Sequence, residues 1–325
     1  MRTQPSTRPE PATRTLTAPP SLTPLLARGA LLSPFKRPRP DAPVPATRLV
    51  LPGVRVDLAR LAAYERVCGF ATGPDVLPVT YPHVLAFPLA MRIMAGRDFP
   101  LPLLGLVHTS IGITQYEEPT AAAEYDLAVR VEGLASHRRG TEATVLTEAR
   151  ADGRLVWESR STYLARHRTR GETAGNAARG PASDGPAPSS REESGEGSAP
   201  SRTLPALAEW RLAQDVGRRY GAVSGDRNPI HLHPLTARLF GFPRAIAHGM
   251  WSVARCLAEY GPQSAVEIRA DFRAPVLLPG TVTYAAQGLA FELRTGDRVH
   301  LTGDVRPLPP GTATGGDPAP AAPTG

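Results

Sequence analysis

The chain alternates between apolar segments with a helical period and apolar segments with a strand period, and this succession occurs twice. A first helix is predicted after Asp57, a suitable N-cap, because apolar side chains recur at helical spacing up to Gly69. A second apolar stretch over 80–95 contains Pro88, which predicts a broken or kinked helix. In 125–132 the large apolar residues occupy odd positions and the charges even ones, which indicates a half-buried antiparallel strand.

The second succession begins after residue 204. Leu212, Val216 and Tyr220 stand four residues apart, as on one face of a helix, and 248–260 is apolar on most sides, as in a buried helix. Segments with strand character follow at 265–272, 281–287, 290–294 and 299–305. Helices followed by an antiparallel strand meander, twice over, predict an α+β fold with two copies of a sheet wrapped around a central helix.

Composition divides the chain into five parts. From Ala165 to Arg202 there is no Val, Ile, Leu, Met, Phe, Trp, Tyr or Cys, so this segment cannot bury enough apolar surface to offset its ordering entropy. We therefore expect a disordered basic leader over 1–48, an N-terminal domain over 49–164, a disordered linker over 165–203, a C-terminal domain over 204–306 and a disordered tail over 307–325.

The positive charge of the chain lies in its leader. The 325 residues carry a formal net charge of +7, and residues 1–50 hold eight basic against two acidic side chains. The remaining sequence is nearly balanced, without the concentrated basic face of a nucleic-acid-binding domain. No apolar run reaches the roughly 18 residues of a membrane span, and two cysteines exclude a disulfide scaffold. Without a secretory signal at the start of the sequence, we expect a cytoplasmic protein.

The densest polar cluster is SGDRNPIH, from Ser224 to His231. Local structure explains part of it, because Asn228 before Pro229 is a helix N-cap followed by proline at the first helical position. It does not explain an acid, Asp226, and an imidazole, His231, five residues apart on either side of a rigid corner. A carboxylate and an imidazole that share one water form a general acid–base pair able to add or remove that water.

A second element, 245–250, leads into the predicted buried helix. A helix N-terminus offers free backbone N–H groups and the positive end of the helix dipole, and a glycine there lets a carbonyl approach closely. The N–H of Gly249 is therefore a candidate donor to a developing enolate oxygen. A plain loop-to-helix junction with a tightly packed glycine is the alternative.

Together these residues resemble a known family. SGDRNPIH, then Ala237, then GFPRAIAHGM at 241–250 are similar to the hydratase-2 motif of the MaoC-like dehydratases, which include the (R)-specific enoyl-CoA hydratases and have a hot-dog fold. His233 departs from the acidic residue more often found at its position. The order of elements in both halves resembles the two-domain, double hot-dog members of the family.

The resemblance implies an enzyme that adds or removes water across the 2,3 double bond of an enoyl thioester, with (R)-3-hydroxyacyl-CoA or the acyl carrier protein thioester as the hydrated form. It implies Asp226 and His231 as the catalytic pair, Gly249 at the thioester carbonyl, and no cofactor. We assign Asn228 and Ser224 to substrate binding. The N-terminal domain lacks the acid–imidazole pair, so we expect it to be catalytically silent and to line an acyl tunnel with 84–94. The expected partner is the thioester substrate, with no nucleic acid and no membrane span, and a homodimer is compatible with the fold.

Other interpretations stay open. The chain could be a hot-dog thioesterase or a non-catalytic acyl-thioester-binding subunit, although a binding module has no physical need to keep Asp226 and His231 together. His231, His233 and His248 suggest a metal site, but no acidic residue lies at helical spacing to complete a familiar ligand set, so we expect no metal. The other histidines are expected to be structural or at the surface: His83, His108, His137, His167 and His300.

Overall fold

The computed structural model describes residues 11–167 and 204–309. Most of the predicted linker, 165–203, and of the predicted tail, 307–325, therefore lies outside the described residues. Neither described range contains a helix with the length and apolar character that a membrane crossing requires.

The first described range contains six strands and three α-helices, with a 3-10 helix at Ser33–Phe35 directly after the first. In chain order they are β1 (Ala12–Thr15), α1 (Leu22–Leu32), β2 (Thr47–Arg55), α2 (Leu58–Cys68), α3 (Tyr81–Met94), β3 (Leu106–Gln115), β4 (Glu124–His137), β5 (Gly140–Ala151) and β6 (Arg154–Arg166).

The second described range contains five strands and four helices. In chain order they are β7 (Ala206–Leu212), α4 (Val216–Ser224), α5 (Pro229–Leu232), α6 (Pro234–Leu239), α7 (Gly249–Tyr260), β8 (Val266–Phe272), β9 (Gly280–Gln287), β10 (Ala290–Thr295) and β11 (Arg298–Pro307).

The strands of both ranges form one sheet, in the order β1-β2-β4-β5-β6-β3-β8-β11-β10-β9-β7. β3 and β8 pair antiparallel at its centre, from Ser110 opposite Asp271 to Gln115 opposite Val266, so the two halves join edge to edge. In the first half α3 packs against β4 and β5, and in the second half α7 packs against β10. This is the α+β double hot dog that the sequence predicts, with one central helix for each half.

The first predicted helix is confirmed as α2. The side chain of Asp57 accepts hydrogen bonds from the backbone N–H groups of Ala59 and Arg60, at 2.9 and 3.1 Å, and thereby caps the helix. The helix ends at Gly69, which has the left-handed φ of +83° that favours glycine.

Of the break or kink predicted at Pro88, the break is wrong, because α3 runs through Pro88 as a single helix. An internal proline removes one helical hydrogen bond and costs about 3 kcal/mol in an exposed helix. Here most of α3 is buried in the core, with Leu89 and Met94 fully inaccessible. Tertiary packing therefore outweighs the local preference.

The predicted disorder of the leader is wrong for residues 11–48. β1 extends the sheet by pairing in parallel with β2, with Ala12 opposite Thr47, and α1 contacts α3. The overall composition of the leader predicted disorder, but the leader contains a short apolar stripe. This stripe packs on the core, and its burial offsets the entropy of ordering. The members of that stripe are Leu22, Leu25, Leu26 and the buried Gly29, at helical spacing after the N-cap Ser21. The predicted boundaries of the two domains, the linker and the tail stay predictions.

Candidate active site

A cavity of about 900 Å³ lies between the two halves and is lined by residues from both. The five residues predicted from the sequence for the site all line it: Ser224, Asp226, Asn228, His231 and Gly249. The fold thus brings together the loop after α4 and the first residue of α7.

Consecutive hydrogen bonds fix the loop that carries the acid. Gly225 ends α4 with a left-handed φ of +84°. The N–H of Asp226 donates to Ser224 Oγ at 3.2 Å, and the N–H of Asn228 donates to Asp226 Oδ1 at 3.1 Å. Asn228 Oδ1 in turn accepts from the N–H of Ile230 at 3.4 Å and caps α5. Ser224 therefore fixes the backbone at Asp226, and the backbone N–H of Asn228 holds the Asp226 carboxylate.

The imidazole of His231 has a defined orientation. Its Nδ1 lies 2.8 Å from the carbonyl oxygen of Ile246, and because a carbonyl only accepts, Nδ1 carries the proton. Burial lowers the pKa of His231, which the charge of Asp226 and the bond to Ile246 partly oppose. The ring is therefore neutral near pH 7, and its Nε2 is a free proton acceptor.

His248, which the sequence interpretation did not assign to the catalytic pair, packs directly against His231 and the backbone of Asp226. Its ring stacks on His231 at a centroid distance of 3.7 Å, and its Nε2 donates to the backbone carbonyl of Asp226 at 2.9 Å. Burial, with the neighbouring His231, holds the pKa of His248 well below its usual range. The signal was its place in GFPRAIAHGM, directly before the Gly249 assigned to the carbonyl.

The side-chain ligand atoms of Asp226, His231 and His248 all lie within 4.8 Å of one another. At this spacing one water can contact both the Asp226 carboxylate and the imidazole of His231. A carboxylate and two imidazoles are also a donor set that can hold a metal ion. Acid–base chemistry on one water needs only the Asp226 carboxylate and the His231 imidazole.

Gly249 begins α7, and its lack of a side chain leaves room for the ring of Phe272, which packs against it. A Cβ at this position would lie 2.8 Å from the ring of Phe272, so a larger residue would require the ring to move. The backbone N–H of the first helical residue has no partner inside the helix. Gly249 can therefore present this donor to an oxygen in the cavity.

The N-terminal half brings polar rings to the same cavity, which the sequence interpretation missed. His83 of α3 and His108 of β3 both line it and stack at a centroid distance of 6.3 Å. Burial lowers the pKa of His83 to about 4 and that of His108 to about 3. His83 Nδ1 and His108 Nε2 have no hydrogen-bond partner among the described residues. Only folding places them here, since neither lies in a motif.

Known proteins are similar to this chain in sequence and in fold. The MaoC like domain model matches residues 197–303. The 3-hydroxyacyl-thioester dehydratase X of Mycobacterium tuberculosis is 35% identical over 305 residues, which cover 90% of this chain and 100% of that protein. The crystal structure of HtdX of M. tuberculosis has a TM-score of 0.66 at 32% identity and covers 80% of this chain and 100% of its own. A MaoC-like dehydratase from Phytophthora capsici has a TM-score of 0.60 at 15% identity, over 85% and 98% of the two chains, which shows the fold alone.

Proposed function

The chain belongs to the MaoC-like dehydratase family, and we propose that it adds and removes water across the 2,3 double bond of an enoyl thioester at Asp226 and His231. It is a hydro-lyase. The observation that supports these two residues is their placement: a neutral imidazole with a free Nε2 and a carboxylate, within 4.8 Å of each other in one cavity. A non-catalytic binding subunit would not need this pair.

The proposed hydration runs as follows. One water contacts Asp226 and His231 Nε2, and its proton passes to His231 as its oxygen bonds to C3 of the substrate. The electron pair of the double bond moves onto the thioester, where the N–H of Gly249 stabilises the enolate oxygen. C2 then takes a proton from the same acid–base pair, so the product has gained one hydrogen at C2 and one hydroxyl at C3. Dehydration is the reverse.

The substrate is proposed from the chemistry of the cavity and the family. We propose the (R)-3-hydroxyacyl thioester as the hydrated form, with coenzyme A or acyl carrier protein as the thiol. A homodimer and a cytoplasmic location stay predictions.

The test is hydration of crotonyl-CoA by the purified chain, followed as loss of enoyl absorbance. Asp226→Asn and His231→Gln should each lower kcat by about 10²–10⁴-fold, the usual effect of a positioned acid or base. The double variant should be little worse than the poorer single one, because groups that act as a unit are not additive.

Matched controls separate catalysis from folding. His233→Gln changes an exposed imidazole two residues away, and Asp215→Asn changes an exposed carboxylate at the start of α4. Both should keep activity within a few-fold. If the Asp226 and His231 variants also keep near-wild-type turnover, the acid–base assignment is wrong.

A further inference from the structure

Two helices of the N-terminal half supply much of the apolar lining of the cavity. The lining residues are Val84, Phe87, Met91 and Met94 on α3 and Leu26, Ala27 and Ala30 on α1. The α3 set follows helical spacing along one face. The α1 set belongs to the part of the chain whose composition predicted disorder.

α1 extends along the cavity, starting at the catalytic loop. At its beginning, Leu22 lies so close to Gly225 that a Cβ there would come within 2.5 Å of Leu22 Cδ1. Near its end, the buried Gly29 packs so tightly that a Cβ would collide with Leu103 and lie 3.2 Å from Ala95. α1 therefore reaches from the residue before Asp226 to the C-terminal end of α3.

Polar contacts fix the end of α1 in place. Ser33 Oγ donates to the carbonyl of Gly29 at 2.7 Å and accepts from the N–H of Leu104 at 2.9 Å. Lys36 Nζ donates to the carbonyls of Met94 at 3.3 Å and Gly96 at 2.9 Å.

The ammonium of Lys36 also lies 5.4 Å from the ring centroid of Phe99. Lys36 is the only lysine of the chain, and burial lowers its pKa to about 8, with Arg28 adding to the effect. With these contacts, α1 is a fixed wall.

The length of α1 indicates how long an acyl tail can lie along it. α1 has eleven residues, Leu22–Leu32, and is therefore about 16 Å long. An extended chain covers about 3.5 Å for every three bonds, so the wall is as long as roughly fourteen bonds. That length suits an acyl tail of about a dozen carbons.

We propose that α1 is the outer wall of the acyl tunnel and that the small side chain of Ala30 sets the width open to a long acyl tail. This inference rests on the proposed function, since it concerns the substrate of the same site. It gives the leader a part in substrate selection. If α1 only covers α3, changes on its inner face should affect stability and leave chain-length preference unaltered.

The test compares kcat/KM for trans-2-dodecenoyl-CoA and crotonyl-CoA in the full chain. Ala30→Phe fills the tunnel from α1 and should lower the ratio of the two values at least about tenfold, since even one methylene in an apolar pocket discriminates by about 10–200-fold. Ala30→Leu is the smaller change and should lower the ratio less. Leu31→Phe is the matched control, because Leu31 is 74% exposed on the outer face of α1, and it should leave the ratio unchanged.

The outcomes separate this inference from the proposed function. If the wild type hydrates neither substrate, the proposed function fails and this inference falls with it. If the wild type hydrates both and folded Ala30 variants keep the wild-type ratio, only the inference is overturned. A parallel loss on both substrates, with the ratio preserved, also overturns it.

Discussion

Burial, more than charge, sets the protonation of the histidines in the cavity. His83, His108, His231 and His248 all have a lowered pKa whose main cause is desolvation. For His231 this is useful, because a neutral ring with Nδ1 bonded to a carbonyl keeps Nε2 ready to accept a proton. For His83 and His108 the same burial lowers the free energy of unfolding when the solution is acidified.

We predict that the protein loses stability as the pH falls from 7 to 5. In the unfolded chain a histidine binds a proton near pH 6.5, whereas in the fold His83 does so near pH 4 and His108 near pH 3. Between these values the unfolded state binds more protons, so the free energy of unfolding falls as the pH falls and levels off near pH 4 to 3. At pH 5 the loss is about 2 kcal/mol for each ring.

Urea unfolding at the two pH values measures this loss. His83→Asn should reduce the difference in the free energy of unfolding between pH 7 and pH 5 by about 2 kcal/mol. A His83→Asn variant with the full wild-type pH dependence would contradict the prediction.

Elements with their own local signals could be predicted from the sequence, and those decided by tertiary contacts could not. Leu212, expected on one helix with Val216 and Tyr220, ends β7 instead, and α4 begins at Val216. α2 has its own cap and stop, Asp57 and Gly69, so its limits follow from local chemistry. The continuity of α3 through Pro88 depends on burial that no local window reports. α1 carried a local signal, the stripe from Leu22 to Gly29, which the proline-rich surroundings outweighed.

α4 also sets the position of the imidazole of His231, the proposed proton acceptor. A Cβ on Gly217 would collide with the backbone carbonyl of His231 and lie 3.4 Å from its Cβ. We predict that Gly217→Ala moves His231 and lowers hydration by about tenfold to a hundredfold, since a 1 Å misplacement can cost that much. Gly133→Ala in β4 is the control, because a Cβ there meets nothing within 4 Å. Activity per folded molecule, measured well below the melting temperature, should fall only in the first variant.

The whole molecule acts as one unit, although its sequence divides it into two domains. β3 and β8 pair in one antiparallel ladder. The ring centroids of Tyr64 and Tyr220 lie 6.0 Å apart, and Trp251 Nε1 donates to the carbonyl of Val67 at 2.9 Å. Buried residues of both halves form one core cluster. The sequence led us to expect that 84–94 lines the substrate tunnel, but not that His83 lies in one cavity with Asp226, because only the pairing of the halves brings these two residues together.

We predict that the halves stay together after the chain is cut between them. A site-specific protease sequence inserted after Ser190 falls in the predicted linker, outside the described residues. Because the ladder between β3 and β8 and the common core do not involve that segment, the two fragments should elute as one species in gel filtration and hydrate crotonyl-CoA at the rate of the uncut chain. Fragments that separate without denaturant would show that the halves depend on the linker, and a cut complex that stays whole but inactive would show that the linker contributes to the site.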